Sequence, residues 1–235
     1  AIVRDLYTPL DGAPFVSVVS PETVTGLADG AHTYRVRATD PAGNVDATPA
    51  SHSWIVDRAA PDTTLTSTPP AATSDISATF AFTATETASA FERSLDGAVY
   101  VAVVSTDTVT GLVDGPHTYR VRAIDAAGNV DATPASFTWT VDTGAPDTTI
   151  IAGPPSATSS SSVTLSFTSP DGGAAFERSL DGGPFVTTDS PETVTGLADG
   201  AHSYAVRAID TAGNVDTTPA ERAWTVDRTS PDTAL

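Results

Sequence analysis

Ile76, Ala78, Phe80 and Phe82 alternate with the smaller residues Ser77, Thr79 and Ala81. A period of two is that of a half-buried strand, and it predicts one over 76–84. The same reading places strands at 63–67, 89–95, 98–103, 108–110, 117–124 and 136–141. Phe91 and Leu95 face inward in the strand at 89–95, Tyr119, Val121 and Ala123 oppose Arg120 and Arg122 in that at 117–124, and Phe137, Trp139 and Val141 turn inward in the last. Asp96-Gly97 between 89–95 and 98–103 is a strong hairpin signal. No amphipathic helix of useful length interrupts the pattern. Seven short strands in about 85 residues predict an all-β fold, a small antiparallel sandwich.

The pattern then repeats. TGLVDGPHTYRVRAIDAAGNVDATPA from Thr110 returns as TGLADGAHTYRVRATDPAGNVDATPA from Thr25 and TGLADGAHSYAVRAIDTAGNVDTTPA from Thr195, each offset by 85 residues. A fixed period of this kind means an array of modules. It divides the chain into 1–57, a repeat lacking its first two strands; 62–142 and 147–227, complete repeats; and 231–235, the first strand of a following one. Joined head to tail, each repeat should extend about 35 to 40 Å and the whole on the order of 100 Å, at about 3.3 Å per strand residue. For the incomplete first repeat two readings stand open: a segment of a longer array, or a head-to-tail polymer in which a neighbouring copy completes the sandwich. The opening AIVRDLYTPLDG has neither the basic nor the apolar region of a signal peptide.

PDTTLTSTPPAATSDISATFAFTATETASAFERSLDGAVY, continued by TVTGLVDGPHTYRVRAIDAAGNVDATPASFTWTVD, resembles the immunoglobulin-like (fibronectin type III-like) tandem repeats of large bacterial surface and secreted proteins. The resemblance covers the whole chain. It implies tandem immunoglobulin-like antiparallel β-sandwiches in a head-to-tail rod, serving as a spacer, adhesin stalk or fibre module with no catalysis of its own, at the cell surface or outside the cell. Members often carry a cysteine pair across the hairpin. Here Arg93, Arg178 and Thr8 stand at the first position and Val103, Thr188 and Val18 at the second, so that crosslink is lost. Leu112-Val-Asp-Gly followed by Tyr119 resembles a tyrosine corner, in which the phenol ties down a crossing between sheets.

Charge narrows the partners. A net charge of -18 and a pI near 4.2 argue against nucleic acid or an anionic membrane surface, because no basic patch exists to neutralise phosphates. No apolar run is long enough for membrane insertion. All eleven basic residues are Arg, and Cys is absent, which excludes disulfides and thiolate metal sites. The expected partners are neighbouring repeats or copies of the same protein, head to tail.

Candidate chemistry lies in the carboxylates. Eighteen of the 23 Asp residues occupy six positions that recur in all three repeats. In a sandwich of this topology, head-to-tail stacking brings the linker aspartates Asp57, Asp62, Asp142 and Asp147 toward those flanking AGNV, namely Asp125, Asp131, Asp210 and Asp216, with Asp171 near the later joint. A hard cation such as Ca2+ takes six to eight oxygen ligands, so calcium at each joint is one expectation. Loop capping is the other, since Asp and Asn bond their own backbone in turns; the aspartates of LDG and of the DG before 117–124 read as turn chemistry.

The remaining candidates read as scaffold. His32, His117 and His202 start the same inward-facing strand, and Trp54, Trp139 and Trp224 fit core positions. Arg120 and Arg122 line an outer face where Glu92 can pair with them. No nucleophile, base and orienter occur together, and no Gly-rich phosphate loop is found. The expected function is a non-enzymatic extracellular structural or adhesive segment from a bacterium; the alternative is a spacer or carbohydrate- or protein-binding module attached to a secreted enzyme.

Overall fold

A computed structural model of the chain describes residues 5–86 and 90–232. The expected strand start at Ser89, the first four residues and Thr233 to Leu235 lie outside them. Among the described residues there is no helix.

The first repeat contributes β1 (Asp5–Thr8), β2 (Val16–Val18), β3 (Gly30–Thr39) and β4 (Ala50–Val56). They form one sheet in the order β2-β1-β3-β4. The second repeat follows with β5 (Thr63–Ser67), β6 (Ala72–Thr73), β7 (Ser77–Ala84), β8 (Ala90–Leu95), β9 (Val101–Val103), β10 (Asp107–Thr110), β11 (Gly115–Ile124) and β12 (Ala135–Val141). Its sheets are β10-β7-β5 and β6-β12-β11-β8-β9. The third runs through β13 (Thr149–Ala152), β14 (Ala157–Thr158), β15 (Val163–Thr168), β16 (Ala175–Leu180), β17 (Val186–Thr188), β18 (Glu192–Val194), β19 (Gly200–Ile209) and β20 (Ala220–Val226). Its sheets have the same order, β13-β15-β18 and β14-β20-β19-β16-β17.

In the third repeat β13–β15, β15–β18, β16–β17, β16–β19 and β19–β20 pair antiparallel, while β14 lies parallel to β20, as β6 does to β12 in the second. These two-residue strands are an addition to the sequence reading. Each follows a Pro-Pro pair and is too short to show a period. A second departure is Ile76, which is 53% exposed. It precedes β7, and its carbonyl accepts the Leu112 N–H at 3.0 Å. The alternation holds from Ala78 through Phe80 and Phe82, all buried.

Two compact units divide the chain: Ala1–Thr64 with Ala84–Glu92 and Val121–Pro134, and Leu65–Thr83 with Arg93–Arg120 and Ala135–Leu235. In the second unit the third repeat shows how the core is built. Val163, Leu165 and Phe167 from one sheet meet Tyr204, Val206, Trp224 and Val226 from the other. Alternate residues of each strand meet there because successive side chains point to opposite faces. In the second repeat Phe80 stacks on Tyr119, with ring centroids 3.9 Å apart, and meets Trp139 at 5.2 Å. The sheet of the first repeat has no second sheet against it among the described residues, and its Tyr34 and Trp54 are only half-buried.

The hairpin turns match their sequence. Asp96 and Gly97 take φ of +52° and +78°, as a two-residue turn of this hand requires; Gly has no side chain to oppose it and Asp tolerates it.

The tyrosine ties down the crossing between sheets through a carboxylate. Tyr119 donates its hydroxyl to Asp107 Oδ2 at 2.9 Å, on β10. Arg93 Nε reaches the same oxygen at 2.9 Å. In the third repeat Tyr204 donates to Glu192 Oε2 and Arg178 Nε reaches the other oxygen, Oε1, at 3.1 Å. In the first repeat Thr8 and Tyr34 both donate to Glu22 Oε2. The residues at the family's first cysteine position thus bind a carboxylate on a strand of the opposite sheet in the two complete repeats. Burial first, then the carboxylate alongside, pushes the phenols of Tyr119 and Tyr204 up, so both remain hydrogen-bond donors.

Arg178→Ala is therefore expected to cost the third repeat about 1–3 kcal/mol, because Glu192 loses its cation in a partly enclosed site. A lower urea midpoint with an unchanged slope would show it. Equal midpoints for Arg178→Ala and wild type would mean that the pair contributes nothing.

Candidate cation-binding joint

Each linker begins at an aspartate that ends a strand and reaches a proline before the next repeat starts. Asp57 follows β4, and Pro61 behind it is buried. Opposite lies the loop Asp125-Ala-Ala-Gly-Asn129 between β11 and β12. Gly128 takes φ +94° there, which lets the loop fold back on its first residue. Asp125 Oδ1 accepts the Asn129 N–H at 2.8 Å and Oδ2 accepts a proton from Asn129 Nδ2 at 2.7 Å. The same amide donates to the Asp57 carbonyl at 3.1 Å. The loop thereby carries a donor that grips the linker backbone.

The arrangement recurs. Asp210 accepts from the Asn214 backbone at 2.9 Å and from its side chain at 2.8 Å, and Asn214 Nδ2 donates to the Asp142 carbonyl at 2.7 Å.

At the earlier joint three carboxylates converge. Oxygens of Asp57, Glu86 and Asp125 all lie within 4.8 Å of one another. Two oxygens bound to one Ca2+ at about 2.4 Å can be at most about 4.8 Å apart, so this set is close enough to hold a single divalent ion. Asp125 is held below the ordinary carboxylate range, chiefly by the Asn129 side-chain amide, against the effect of burial. Glu86 is pushed up by burial and then by the charges of Asp57 and Asp125. A cation placed among them would relieve that repulsion.

The other expected residues do different work. Asp131 and Asp216 are each 2% exposed. Asp131 Oδ2 accepts the Thr63 N–H at 3.0 Å and Oδ1 accepts the Thr133 N–H at 2.7 Å; Asp216 Oδ1 accepts the matching Thr218 N–H at 2.7 Å. In both, burial works to raise the carboxyl but the threonine hydrogen bonds outweigh it, leaving a net lowering. Asp62 and Asp147 are exposed; Thr85 brackets the Asp62 backbone, its N–H donating to the Asp62 carbonyl at 3.0 Å. Asp142 Oδ1 accepts the Gly144 N–H at 3.0 Å. Among the described residues no second group of three acidic side chains converges as the first does, and Asp171 is exposed.

Glu86 is the residue that sequence reading missed. It lies 85 positions before Asp171, which the later joint had singled out, so an acid at the equivalent place was the available signal.

The turn aspartates are likewise occupied. Asp114 accepts the Thr143 N–H at 3.1 Å and its hydroxyl at 2.9 Å, while Asp29 and Asp199 pair with Arg58 and Arg228 of their own linkers. On the outer sheet face Arg122 meets Glu92 at 2.9 Å and Arg207 meets Glu177 at 2.8 Å.

No protein-family model matches the chain. It is 38% identical over 242 aligned positions to Exoglucanase B of Cellulomonas fimi, which takes in 90% of this chain and 21% of that protein. The chain therefore spans about a fifth of that relative's length. Among solved structures it is similar to the fibronectin(III)-like modules of Clostridium thermocellum CbhA, at 15% identity and a TM-score of 0.44 over 74% of this chain and 100% of that one. A 1.5-MDa bacterial ice-binding adhesin is similar at 19% identity and a TM-score of 0.42, over 97% of this chain and 88% of that one. A Ca2+-stabilized adhesin of an Antarctic bacterium is similar at 22% identity and a TM-score of 0.38, over 97% and 66%. Strand order carries the fold assignment without them: a three-stranded sheet faces a five-stranded one, with one short parallel pairing, twice over at a spacing of 85 residues. The chain carries two successive β-sandwiches of immunoglobulin-like fold, preceded by a related single sheet.

Proposed function

We propose that the chain is a non-catalytic spacer segment of an extracellular bacterial protein, made of modules joined head to tail and stiffened at a joint by a divalent cation, with calcium as the ion. The observation that carries this reading is the repeated grip of Asn129 and Asn214 on the carbonyls of Asp57 and Asp142. A side chain that holds the same linker atom in successive copies restricts how one module turns on the next. Asp29, Asp96, Asp114, Asp131 and Glu192 are each already bonded within the scaffold. Asp57, Glu86 and Asp125 would hold the ion, which would supply positive charge and further coordination between linker and loop.

Two settings suit such a spacer. In one it is the stalk of a structural or adhesive fibre. In the other it separates parts of a secreted enzyme, which the likeness to an exoglucanase favours. Direct carbohydrate binding is the weaker variant. Arg37 lies 3.7 Å over the Phe15 ring and Arg207 4.0 Å over Phe185, each covering one face on which a sugar would stack.

Isothermal titration with calcium tests the joint. Binding is expected in the millimolar range or tighter, and Glu86→Gln with Asp125→Asn should weaken it at least tenfold. Small-angle scattering should show a narrower distribution of lengths with calcium than with chelator. Heat-silent titration at millimolar calcium would remove the cation from the proposal, and saturable binding to an insoluble glucan would replace the spacer with a binding module.

A further inference from the structure

His117 is 7% exposed and both nitrogens of its ring face acceptors. Nε2 lies 2.8 Å from the Val113 carbonyl, which has no proton to give, so Nε2 carries one. Nδ1 lies 2.8 Å from Asp96 Oδ2. Asp96 Oδ1 already accepts the Thr118 N–H at 2.7 Å, an arrangement suited to the ionised carboxylate. A carboxylate only accepts, so Nδ1 must carry a proton as well. An imidazole with both nitrogens protonated is a cation. A neutral ring in this position would point a lone pair at the carboxylate.

The geometry occurs three times. His32 Nδ1 is 2.7 Å from Asp11 and its Nε2 2.8 Å from the Ala28 carbonyl. His202 stands 2.8 Å from Asp181 and 2.9 Å from the Ala198 carbonyl. The second oxygen of each aspartate again accepts a backbone N–H, from Thr33 at 2.7 Å and Ser203 at 2.8 Å. The last strand of each repeat, β4, β12 or β20, places the neutral indole of Trp54, Trp139 or Trp224 beside the ring, and on β4 His52 stacks on that indole with centroids 5.9 Å apart. The hairpin aspartate is the acid facing the ring in all three; Arg58 of the linker faces the first and opposes its protonation.

The carbonyl at the far end of the clamp connects to the linker. Val113 precedes Asp114, whose carboxylate holds the N–H and hydroxyl of Thr143 just beyond β12. Ala28 precedes Asp29, which pairs with Arg58, and Ala198 precedes Asp199, which pairs with Arg228. Hairpin, turn and outgoing linker thus lie on one hydrogen-bonded path in each copy.

We propose that His32, His117 and His202 are imidazolium clamps that tie each hairpin to the turn anchoring the outgoing linker, and that loss of their proton as pH rises loosens that anchor. The chain would then carry a pH-sensitive joint in every repeat. The direction agrees with the surroundings: Asp96 chiefly raises His117 against burial, with help from the Val113 carbonyl, while the carbonyls of Ala28 and Ala198 lead for His32 and His202, followed by their aspartates. A raised folded-state value fixes the sign. The clamp contributes fully below the unfolded histidine value of about 6.5 and is lost as pH rises through the folded value.

The test is a titration of the whole chain in EDTA, so that no cation contributes, following the histidine ring carbons and the Thr143 amide by NMR. All three clamp histidines should titrate above about 6.5, and the Thr143 amide should move with the midpoint of His117. In His117→Gln, which can still donate to Val113 but carries no charge, the Thr143 movement should vanish. Ring midpoints at or below about 6.5 would overturn the imidazolium. A Thr143 amide that stays still while His117 titrates, or that moves equally in His117→Gln, would overturn the coupling; the wild-type titration decides even if the variant fails to fold.

Discussion

Trp139→Ala is expected to remove about 3–5 kcal/mol from the stability of the second repeat, which approaches the whole stability of a small domain. Trp139 is 1% exposed. Phe80, His117 and Phe137 surround its ring, and the space left by an indole cannot be filled by shifts of strands already bonded on both sides. Denaturation followed by far-UV circular dichroism should show part of the signal lost at lower denaturant than in the wild type, since repeats lose stability individually when coupling between neighbours is modest. Trp139→Phe should cost far less. It keeps most of the packing and removes an indole N–H that has no acceptor among the described residues. Trp54→Ala should cost under about 2 kcal/mol, because a half-buried side chain gives up less surface. Equal losses at Trp54 and Trp139 would show that the half-buried position is as well packed as the enclosed one.

Asp131→Ala should cost about 2–4 kcal/mol, the second largest effect. The substitution leaves the N–H groups of Thr63 and Thr133 without their acceptor inside the fold, and each orphaned donor costs about 1–3 kcal/mol. The consequence spreads, because Thr63 Oγ1 accepts the Ala123 N–H at 2.9 Å and so holds the start of β5 against β11. Asp46 occupies the same place in the first repeat but is exposed, and among the described residues its carboxylate bonds only Thr48. Asp46→Ala should therefore cost under about 1 kcal/mol. Urea midpoints of the two variants make the comparison, and a larger loss at Asp46 than at Asp131 would contradict it.

Asp131 also sets an acid limit. Its folded-state value is lowered, so its contribution is complete above the unfolded aspartate value of about 3.9 and disappears as pH falls through the folded one. The histidine clamps set the opposite limit. Stability should be greatest between the two, from about pH 4 to about pH 6.5 and somewhat above.

Much of the scaffold was legible because its signals are local. Alternation from Ala78 to Phe82 predicts β7, and Asp96-Gly97 predicts the β8–β9 hairpin, since period and turn handedness depend on adjacent residues alone. Where the signal was no longer than one period, as at Ala72–Thr73, nothing marked a strand. The tyrosine was legible as an anchor, but its acceptor was not. Asp107 lies 12 residues before Tyr119, and a phenol can reach backbone or carboxylate equally well until the sheets are packed.

The sequence by itself determined the all-β class, the turns and the spacing of 85 residues, because each is written in neighbouring positions or in simple repetition. Only the tertiary structure decided what the repeated aspartates do. Asp96 faces a histidine, Asp114 a linker threonine, Asp131 a buried amide and Asp125 the joint, though all are aspartates in loops. Their donors lie far away in the chain, 68 residues for Thr63 with Asp131 and 72 for the grip of Asn129 on the carbonyl of Asp57. A carboxylate takes its role from the groups that reach it, and those are brought within reach only when the sheets pack.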